Sequence, residues 1–444
     1  MSALPFLLTD KLIHTLSVLC AQPSSIGQED DLRASAELLA TMMRGLGMQV
    51  HVATGHPPVV IGRRAGRNPA SLLLYHRFDA APPGPWRAWS HNPYQLAERD
   101  GALYGRGVAE GKGPLAAHMQ AIQALLATYG ELPCGLVIVA DGGGLLGSPT
   151  LAAALDACPD LIGADACLGS IGDRNAAGIP LCYSGSKGFL QMSLSARGPT
   201  HPLPPGAAPS LSNPLWRLTW ALASIKGADE DIRIPGFYDD VEGPSREENA
   251  ALRQLRLDEA GRLAAWGADE FLFGMRGVAL VRAEITLPTC NLSSMHCQPE
   301  HNLALLPSVA TAVLDFQLVP RQRPEVVPRL LRTCLDEGGF ADVTTERLPG
   351  GYAPAHTPHD NRFIRQVAAA GATVFDALLP TVPAGAFTLP LELFVERLHC
   401  PVASVGLAYP DNLPFGPDEH IALDDLIRHG HLLIELVLAV AGEE

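Results

Sequence analysis

The side chains best suited to chemistry follow an apolar run near the start of the chain. The stretch from Leu72 to Gly113 reads LLLYHRFDAAPPGPWRAWSHNPYQLAERDGALYGRGVAEGKG. Arg77 and Asp79 come directly after the apolar run, and Glu110 and Lys112 lie between glycines at its far end. A carboxylate can serve as a general acid or base or bind a metal ion, whereas a charged guanidinium or ammonium only donates hydrogen bonds. The stretch therefore combines groups for acid–base or metal chemistry with cations beside them.

A sheet of buried strands is expected to position these residues. The run SLLLYHRF at 71–78 is followed by segments that alternate between helical and apolar, strand-like patterns: PLAAHMQAIQALLATYG, LVIVADGGG, TLAAALDA and ADACLGS. This alternation predicts an α/β sheet with helices on both faces. Because open α/β sheets place functional side chains at the carboxyl ends of their strands, we expect Arg77 and Asp79 at such an edge.

The pattern changes near residue 180 and changes back near residue 354. Between these points, LCYSGSKGFLQMSLSARG alternates as antiparallel strands do, and NPLWRLTWALASI has a helical pattern. Further on, ATAVLDFQLVP, PEVVPRLLRTCLDEG and ADVTTERL indicate a strand, a helix and a strand. We therefore predict a discontinuous α/β domain formed by residues 1–180 and 354–444, with an α+β domain inserted at 181–353.

Composition excludes several classes of protein and partner. The 444 residues are 47% hydrophobic and 18% charged, which is enough for two globular domains and too apolar for a disordered chain. A net charge of -15 argues against nucleic acid or an anionic membrane as the main partner. Nine cysteines without a CxxC pair, no basic leader and no apolar run long enough to cross a bilayer predict a cytoplasmic protein with reduced thiols.

Several short motifs, through their order and spacing, resemble those of a known family. They are LYGRG at 103–107, GSPTL at 147–151, IPGFYDDV at 234–241, PTCN at 288–291 and LVP at 318–320. Over nearly its full length the chain is similar to the dinuclear-zinc peptidase family of carnosinase-type dipeptidases, aminoacylases, acetylornithine deacetylase and succinyl-diaminopimelate desuccinylase, and in particular to the dipeptidase branch. The resemblance implies a zinc-peptidase-like catalytic domain, with a mixed sheet and helices on both faces, and an inserted lid domain that also dimerises.

The resemblance also implies a ligand set, and most of its positions carry other residues here. Enzymes of this kind hold two metal ions through five His, Asp and Glu ligands, while a further carboxylate activates the bridging water. The first histidine falls on Arg77, the bridging carboxylate on Glu110, the paired glutamates on Gly144 and Leu145, the aspartate on Ile171 and the last histidine on Phe415. Of the ligand positions only Glu110 keeps a donor atom. We therefore predict that the zinc centre is lost and that no cofactor replaces it.

Other residues of the inherited cleft are matched by the resemblance. His201 stands at the lid histidine that reaches into a partner's site, and Asn291 and Lys112 are also kept. Thr388 lies in the loop that is glycine-rich in the family, and Gln317 replaces an arginine of the lid strand. The residues expected to line the cleft are Arg77, Asp79, Glu110, His201, Asn291 and Thr388.

Removing the metal ions would leave Asp79 and Glu110 facing each other in a buried cleft, which is costly. We therefore expect the Arg77 guanidinium to neutralise both carboxylates and to satisfy them with hydrogen bonds. The apolar side chains at former ligand positions would then fill the space of the metal ions; they are Leu145, Ile171 and Phe415.

Three functions stay open on the sequence. The favoured one is a non-catalytic role, either as an assembly or regulatory subunit that dimerises through the lid with itself or an active relative, or as a binder of a small peptide or acyl-amino acid. The second is metal-independent chemistry on an amide or amino-acid derivative, with acid, base or anion-binding groups at Glu110, His201, Asp79, Lys112 and Arg77. The third is metal-dependent peptidase or amidohydrolase activity.

A relocated zinc site is a weaker alternative. Cys290, His296, Cys297 and His301 lie close together in the sequence and have donor atoms that suit zinc. Their spacing matches no zinc-binding pattern, so ordinary roles in the lid are favoured for them.

Overall fold

The computed structural model describes residues 7–299 and 303–442. The chain divides into two compact units. The first unit contains the residues up to Ser186, Pro244–Ile285 and the residues from Ala355 onward, and the second contains Lys187–Gly243 and Thr286–Pro354.

Helices occur in both units, and among the described residues the second unit holds α6 and α10. The helices are α1 (Thr9–Ala21), α2 (Glu29–Gly45), α3 (Lys112–Tyr129), α4 (Leu151–Asp156), α5 (Pro159–Ile162), α6 (Pro214–Ile225), α7 (Arg246–Gln254), α8 (Glu259–Trp266), α9 (Val278–Thr286), α10 (Val327–Glu337), α11 (Arg362–Phe375), α12 (Glu392–Leu398) and α13 (Leu423–Ala441). Within residues 7–299 and 303–442, no helix has both the length and the hydrophobicity that a bilayer span requires.

The strands form one large sheet and three smaller ones. They are β1 (Gln49–Ala53), β2 (Val59–Arg64), β3 (Gly66–Arg77), β4 (Ala97–Arg99), β5 (Ala102–Tyr104), β6 (Leu132–Asp141), β7 (Ala166–Gly169), β8 (Cys182–Tyr183), β9 (Gly185–Ser186), β10 (Gly188–Arg197), β11 (Thr289–Gln298), β12 (Val309–Leu318), β13 (Thr344–Arg347), β14 (Ala355–His356), β15 (Thr381–Val382), β16 (Val402–Val405) and β17 (His420–Ala422).

The large sheet of the first unit is mixed, as predicted. Its strand order is β1-β2-β6-β3-β7-β16-β8-β15. The central strands β6, β3, β7 and β16 run parallel to one another, whereas β1 with β2, β2 with β6, and β8 with β16 pair in antiparallel fashion. The small pairings β9 with β14, and β4 and β17 with β5, complete this unit.

Strand β3 shows why helices cover both faces of this sheet. Successive side chains of a strand point to opposite faces. Leu72 and Leu74 are buried in the hydrophobic core that includes residues of α1, α3 and α13. Leu73 and Tyr75 are buried in a second core with residues of α4, α5 and α12. A strand that is buried on both faces reads as a continuous apolar run, and the sequence of β3 does so.

The second unit has the α+β architecture that the sequence predicts. Its antiparallel sheet has the order β11-β12-β10-β13. Burial alternates along β10 and β12, and their inward side chains share one core with α6 and α10. Leu190, Phe316, Leu218 and Leu331 are fully buried there.

The predicted domain boundaries differ from the structure for one segment. Residues 181–353 were expected to form one inserted domain, yet Pro244–Ile285, which contains α7, α8 and most of α9, belongs to the first unit. Leu252 of α7 and Val281 of α9 share a buried cluster with Tyr183 and Val382 of that unit. The segment therefore packs on the first unit through the burial of these apolar side chains.

Candidate functional site

The ends of three parallel strands bring the candidate residues of the first unit together. Arg77, the last residue of β3, is in register with Asp141 at the end of β6, and Tyr75 is in register with Gly169 at the end of β7. Residues that follow these strands therefore lie along one edge of the sheet, as the sequence predicts.

Arg77 forms an ion pair with Glu110. The Arg77 Nη2 atom donates a hydrogen bond of 2.6 Å to Glu110 Oε2. The side chains of Arg77 and Glu110 are 11% and 24% exposed, so water screens the pair only in part. Gly111 allows the backbone next to Glu110 to approach Arg77 closely, since a Cβ atom at position 111 would lie 2.5 Å from the Arg77 carbonyl oxygen. Arg77, which the sequence resemblance places at the family's first histidine position, is thus a cation bound to Glu110.

Gly144 gives the Arg77 side chain its space. A Cβ atom at position 144 would lie 2.1 Å from Arg77 Cδ and 2.3 Å from Arg77 Cγ. Contacts below about 3 Å between carbon atoms are far inside the normal van der Waals distance of 3.5–4.0 Å. A side chain at position 144 would therefore displace the Arg77 side chain from the conformation that it has here.

Asp79 is a buried carboxyl group with one unsatisfied oxygen. The Leu145 backbone N–H donates to Asp79 Oδ2 at 2.7 Å, while Asp79 Oδ1 is buried without a hydrogen-bond partner. Burial raises the pKa of Asp79 to about 7, against the lowering effect of the Arg77 guanidinium. The expectation that Arg77 satisfies both carboxylates with hydrogen bonds is therefore wrong for Asp79 Oδ1, whereas the expected hydrogen bond to Glu110 is formed.

Asp141 fixes the loop that carries Gly144. Its carboxylate accepts hydrogen bonds from the Tyr75 hydroxyl at 3.0 Å and from the Gly143 backbone N–H at 2.8 Å. Burial raises the pKa of Asp141, and these bonds and the Arg77 guanidinium oppose that shift. The loop is thus anchored from β3 and β6, directly before Gly144.

The loop that carries Glu110 is anchored by a residue to which the sequence analysis gave no role. Glu419 accepts hydrogen bonds from Arg106 Nη1 at 2.9 Å, Gly107 N at 2.8 Å and Ala109 N at 2.9 Å. The Arg106 and Glu419 side chains are 1% and 0% exposed. Burial raises the pKa of Glu419 to about 7, and Arg106 opposes this shift. The signals in the sequence were the arginine between two glycines in LYGRG and the isolated glutamate of PDE.

The remaining candidates of the first unit take no part in the hydrogen bond between Arg77 and Glu110. Lys112 is buried, and its Nζ atom donates to the Gln22 carbonyl oxygen at 2.9 Å; burial lowers its pKa. Ile171 is half-buried against the apolar core, and its backbone N–H donates to Ser404 Oγ at 3.2 Å. Thr388 is half-buried. Phe415 is 60% exposed, so the expectation that it fills a buried space is wrong: its ring faces solvent.

Among the candidates of the second unit, His201 and Asn291 are exposed and Gln317 is half-buried. His201 Nδ1 lies 3.2 Å from Thr200 Oγ1, and Asn291 Nδ2 donates to Asp315 Oδ1 at 2.8 Å. Gln317 lies on β12, in register with Thr289. Within this unit, these side chains offer polar contacts on its surface.

The comparisons with known proteins agree with the fold. Residues 73–439 match the family model described as Peptidase family M20/M25/M40. The chain belongs to this family. A solved M20 family metallo-carboxypeptidase from Sulfolobus solfataricus superimposes with a TM-score of 0.89 and 25% identity, covering 97% of this chain and 99% of that one. Human carnosine dipeptidase 1 superimposes with a TM-score of 0.84 at 20% identity, covering 98% of this chain and 97% of that one.

Curated relatives of this M20 protein match over shorter stretches. Cysteinylglycine-S-conjugate dipeptidase of Corynebacterium striatum is 30% identical over 247 residues, which are 51% of this chain and 53% of the relative. The chain therefore spans about half the length of such relatives. The dipeptidase activity stated in such a name is that of the relative.

Apart from Glu110, the residues at the positions that the sequence resemblance assigns to zinc ligands do not suit zinc. A guanidinium has no lone pair for a metal, and glycine, leucine, isoleucine and phenylalanine side chains have no donor atom. In residues 7–299 and 303–442, no group of three or more His, Cys, Asp or Glu side chains is placed to hold a metal ion. This includes Cys290, His296 and Cys297 on β11, whereas His301 lies outside the described residues. Arg77 and Glu110, two of the positions that the sequence resemblance assigns to metal ligands, thus form an internal ion pair.

Proposed function

We propose that this M20 protein lacks the zinc-dependent hydrolysis of its family and acts as a non-catalytic binding or regulatory subunit. The observation that carries the proposal is the 2.6 Å ion pair between Arg77 and Glu110. On the alignment that the sequence resemblance implies, this pair stands where the family has a metal ion and its ligand, and its cation belongs to the chain itself.

Electrostatics support this reading of the pair. Zinc binds carboxylate oxygens at about 2.0–2.2 Å. A zinc ion on Glu110 would therefore lie within a few ångströms of the Arg77 guanidinium, in a site that water screens only in part. At such a distance two like charges repel each other by several kcal/mol, about 4 kcal/mol per unit-charge pair at 4 Å. Arg77 thus provides the positive charge that balances Glu110, as a metal ion would, and it opposes metal binding.

Sterics support it as well. The paired glutamates of the family provide the general base and a ligand, and Gly144 and Leu145 stand at their positions. A side chain at position 144 would collide with Arg77 in its present conformation, so the absence of a glutamate here leaves room for the arginine. Arg77, Glu110 and Gly144 therefore form one set of mutually fitting residues.

The partner in this proposal is a second subunit, either another copy of the chain or an active relative, bound through the second unit. Trp216 and Trp220 of α6 are both exposed, with ring centroids 6.0 Å apart, and β11 is an edge strand with an exposed Leu292. Exposed aromatic residues and unpaired strand edges are typical of surfaces that associate. A small peptide or acyl-amino acid is the proposed ligand of the cleft, and the cytoplasm is the proposed compartment.

The activity test uses purified protein with added Zn²⁺, Mn²⁺ or Co²⁺ and a panel of dipeptides and N-acyl-amino acids. The Corynebacterium striatum dipeptidase is the positive control in the same assay. We expect no metal-dependent turnover from this chain, and no change on Glu110→Gln. Turnover that requires added metal and is lost in Glu110→Gln would overturn the proposal.

The partner test measures assembly. The chain is co-expressed with an active M20 relative from the same host, and the mass of the product is determined by light scattering after size exclusion. We expect a dimer that Trp216→Glu together with Trp220→Glu dissociates, whereas the surface change Arg397→Glu leaves it intact. A monomer at every concentration would contradict the assembly role.

A further inference from the structure

Three buried histidines meet behind the Arg77–Glu110 pair, on the opposite face of β3. His76 of β3 and His118 of α3 are in contact, with 3.0 Å between His76 Nε2 and His118 Nδ1. The rings of His118 and His429 of α13 are stacked, with centroids 4.6 Å apart and planes 9° apart. The exposed fractions of the three side chains are 2%, 1% and 0%. We call these residues the histidine cluster.

The cluster is short of hydrogen-bond partners. His76 Nδ1 and both ring nitrogens of His429 are buried without a partner. A buried imidazolium would present two N–H donors and a full charge, and both need partners in a low-dielectric interior. The geometry of the cluster therefore suits neutral imidazoles only.

The charged groups around the cluster also oppose protonation. A charge on His429 of α13 would repel a charge on His76 of β3 or His118 of α3, and a charge on His76 would repel one on His118. The Arg174 guanidinium, from the loop after β7, opposes a positive charge on His429. It is itself paired with Asp425 of α13 at 2.6 Å. Burial, and then these neighbours, lower the pKa values of His76 and His429 to about 3 and that of His118 well below its usual value.

The cluster is connected to the candidate site through the backbone. His76 directly precedes Arg77 on β3. Helix α3 begins at Lys112, two residues after Glu110, and carries His118. The two elements that position the Arg77–Glu110 pair are therefore the two that meet in the His76–His118 contact.

We propose that the histidine cluster is an acid-sensitive device: protonation of its imidazoles loosens the packing of α3 and α13 on β3 and so disturbs the Arg77–Glu110 pair. The direction follows from linkage. Because the imidazoles titrate lower in the folded state than the unfolded value of about 6.5, their contribution to stability is complete above that pH and is lost as the pH falls below it. Each imidazole that stays neutral in the folded state increases the unfolding equilibrium constant about tenfold per pH unit below 6.5.

The test compares unfolding at several pH values. Urea unfolding of the wild type and of His429→Leu is measured between pH 7.5 and pH 4.5, with His14→Gln on the surface of α1 as the matched control. We expect the unfolding constant of His429→Leu to rise about tenfold less per pH unit than that of the wild type, and His14→Gln to follow the wild type. Parallel curves for His429→Leu and the wild type would overturn the proposal.

A second measurement needs no variant, so it decides the matter even where His429→Leu does not fold. Hydrogen exchange of the wild type is followed by mass spectrometry at pH 7 and pH 5, corrected for the intrinsic rates. We expect protection to fall in β3 and α3 and to stay constant in β10 and β12 of the second unit. Unchanged protection in β3 and α3 would contradict the device. Neither result depends on whether the chain binds zinc.

Discussion

Separating Arg77 from Glu110 should cost a measurable part of the free energy of unfolding. Breaking a fully buried ion pair costs about 3–5 kcal/mol, whereas exposed pairs contribute about 0–1 kcal/mol. With side chains 11% and 24% exposed, this pair lies between the two limits. We expect about 2 kcal/mol for Arg77→Met and about the same for Glu110→Met, since either change leaves a partly buried charge without its partner.

The double variant separates the pair from its surroundings. Replacing both charges by apolar side chains removes the unpaired charge, so we expect the double variant to lose no more than either single one, about 2 kcal/mol. The coupling energy of the cycle would then be about 2 kcal/mol. The assay is urea unfolding at pH 7.5, followed by circular dichroism, with the midpoint and the m-value compared across the four proteins.

The surface pair Arg397–Asp156 is the matched control. It has the same kind of contact, at 2.7 Å, but its side chains are 22% and 63% exposed. We expect a coupling energy below about 0.5 kcal/mol for it. If the Arg77–Glu110 coupling is as small as that of the control, Arg77 does not stabilise the carboxylate and the reasoning fails.

Three more predictions concern the anchors around this pair. Gly144→Ala should destabilise the protein by about 2–3 kcal/mol, and by less than about 1 kcal/mol in an Arg77→Ala background, because the clash with Arg77 Cδ disappears; equal costs in both backgrounds in urea unfolding would contradict the steric fit. Glu419→Gln should cost about 3 kcal/mol in the same assay, since Arg106 is left as a buried, unpaired cation, and a loss below about 1 kcal/mol would be inconsistent with this role. Asp79 should favour the folded state at low pH: its pKa is raised to about 7, so its contribution is present below about pH 4 and is lost as the pH rises through 7. Asp79→Asn should therefore gain stability relative to the wild type by about 1.4 kcal/mol per pH unit between pH 4 and 7, and a pH-independent difference would refute it.

The sheet and the position of the site could be predicted from local signals. Apolar runs such as Leu72–Leu74 indicate buried strands, and polar residues at their ends indicate the edge of the sheet where Arg77 and Asp79 lie. The change of pattern near residues 180 and 354 predicted the inserted unit, and its alternating strands β10 and β12 have the predicted pattern of burial. These features depend on short stretches of sequence, so they can be read without a structure.

Contacts between distant segments could not be predicted in the same way. Glu419 anchors Arg106 from 313 residues away, and neither residue has a local pattern that indicates its partner. The fit of Gly144 around Arg77 depends on a distance between two loops, which no periodicity encodes. Phe415 was expected to fill the space of a lost metal ion, yet it is exposed, as single aromatic residues on protein surfaces often are.

The assignment of Pro244–Ile285 to the first unit shows the same limit. Its sequence is polar and rich in turns, which indicates a surface segment but not the unit on which it packs. A few apolar residues, among them Leu252 and Val281, decide that question through tertiary burial.

Zinc content tests the central claim most directly. The protein is purified without chelators, dialysed against buffer with and without micromolar Zn²⁺, and analysed by plasma mass spectrometry, alongside the five-position variant Arg77→His, Gly144→Glu, Leu145→Glu, Ile171→Asp and Phe415→His. The account predicts far less than one zinc ion per wild-type chain, and more zinc in the variant. Stoichiometric zinc in the wild type, lost on Glu110→Gln, would show that the M20 metal centre is intact and would contradict the account.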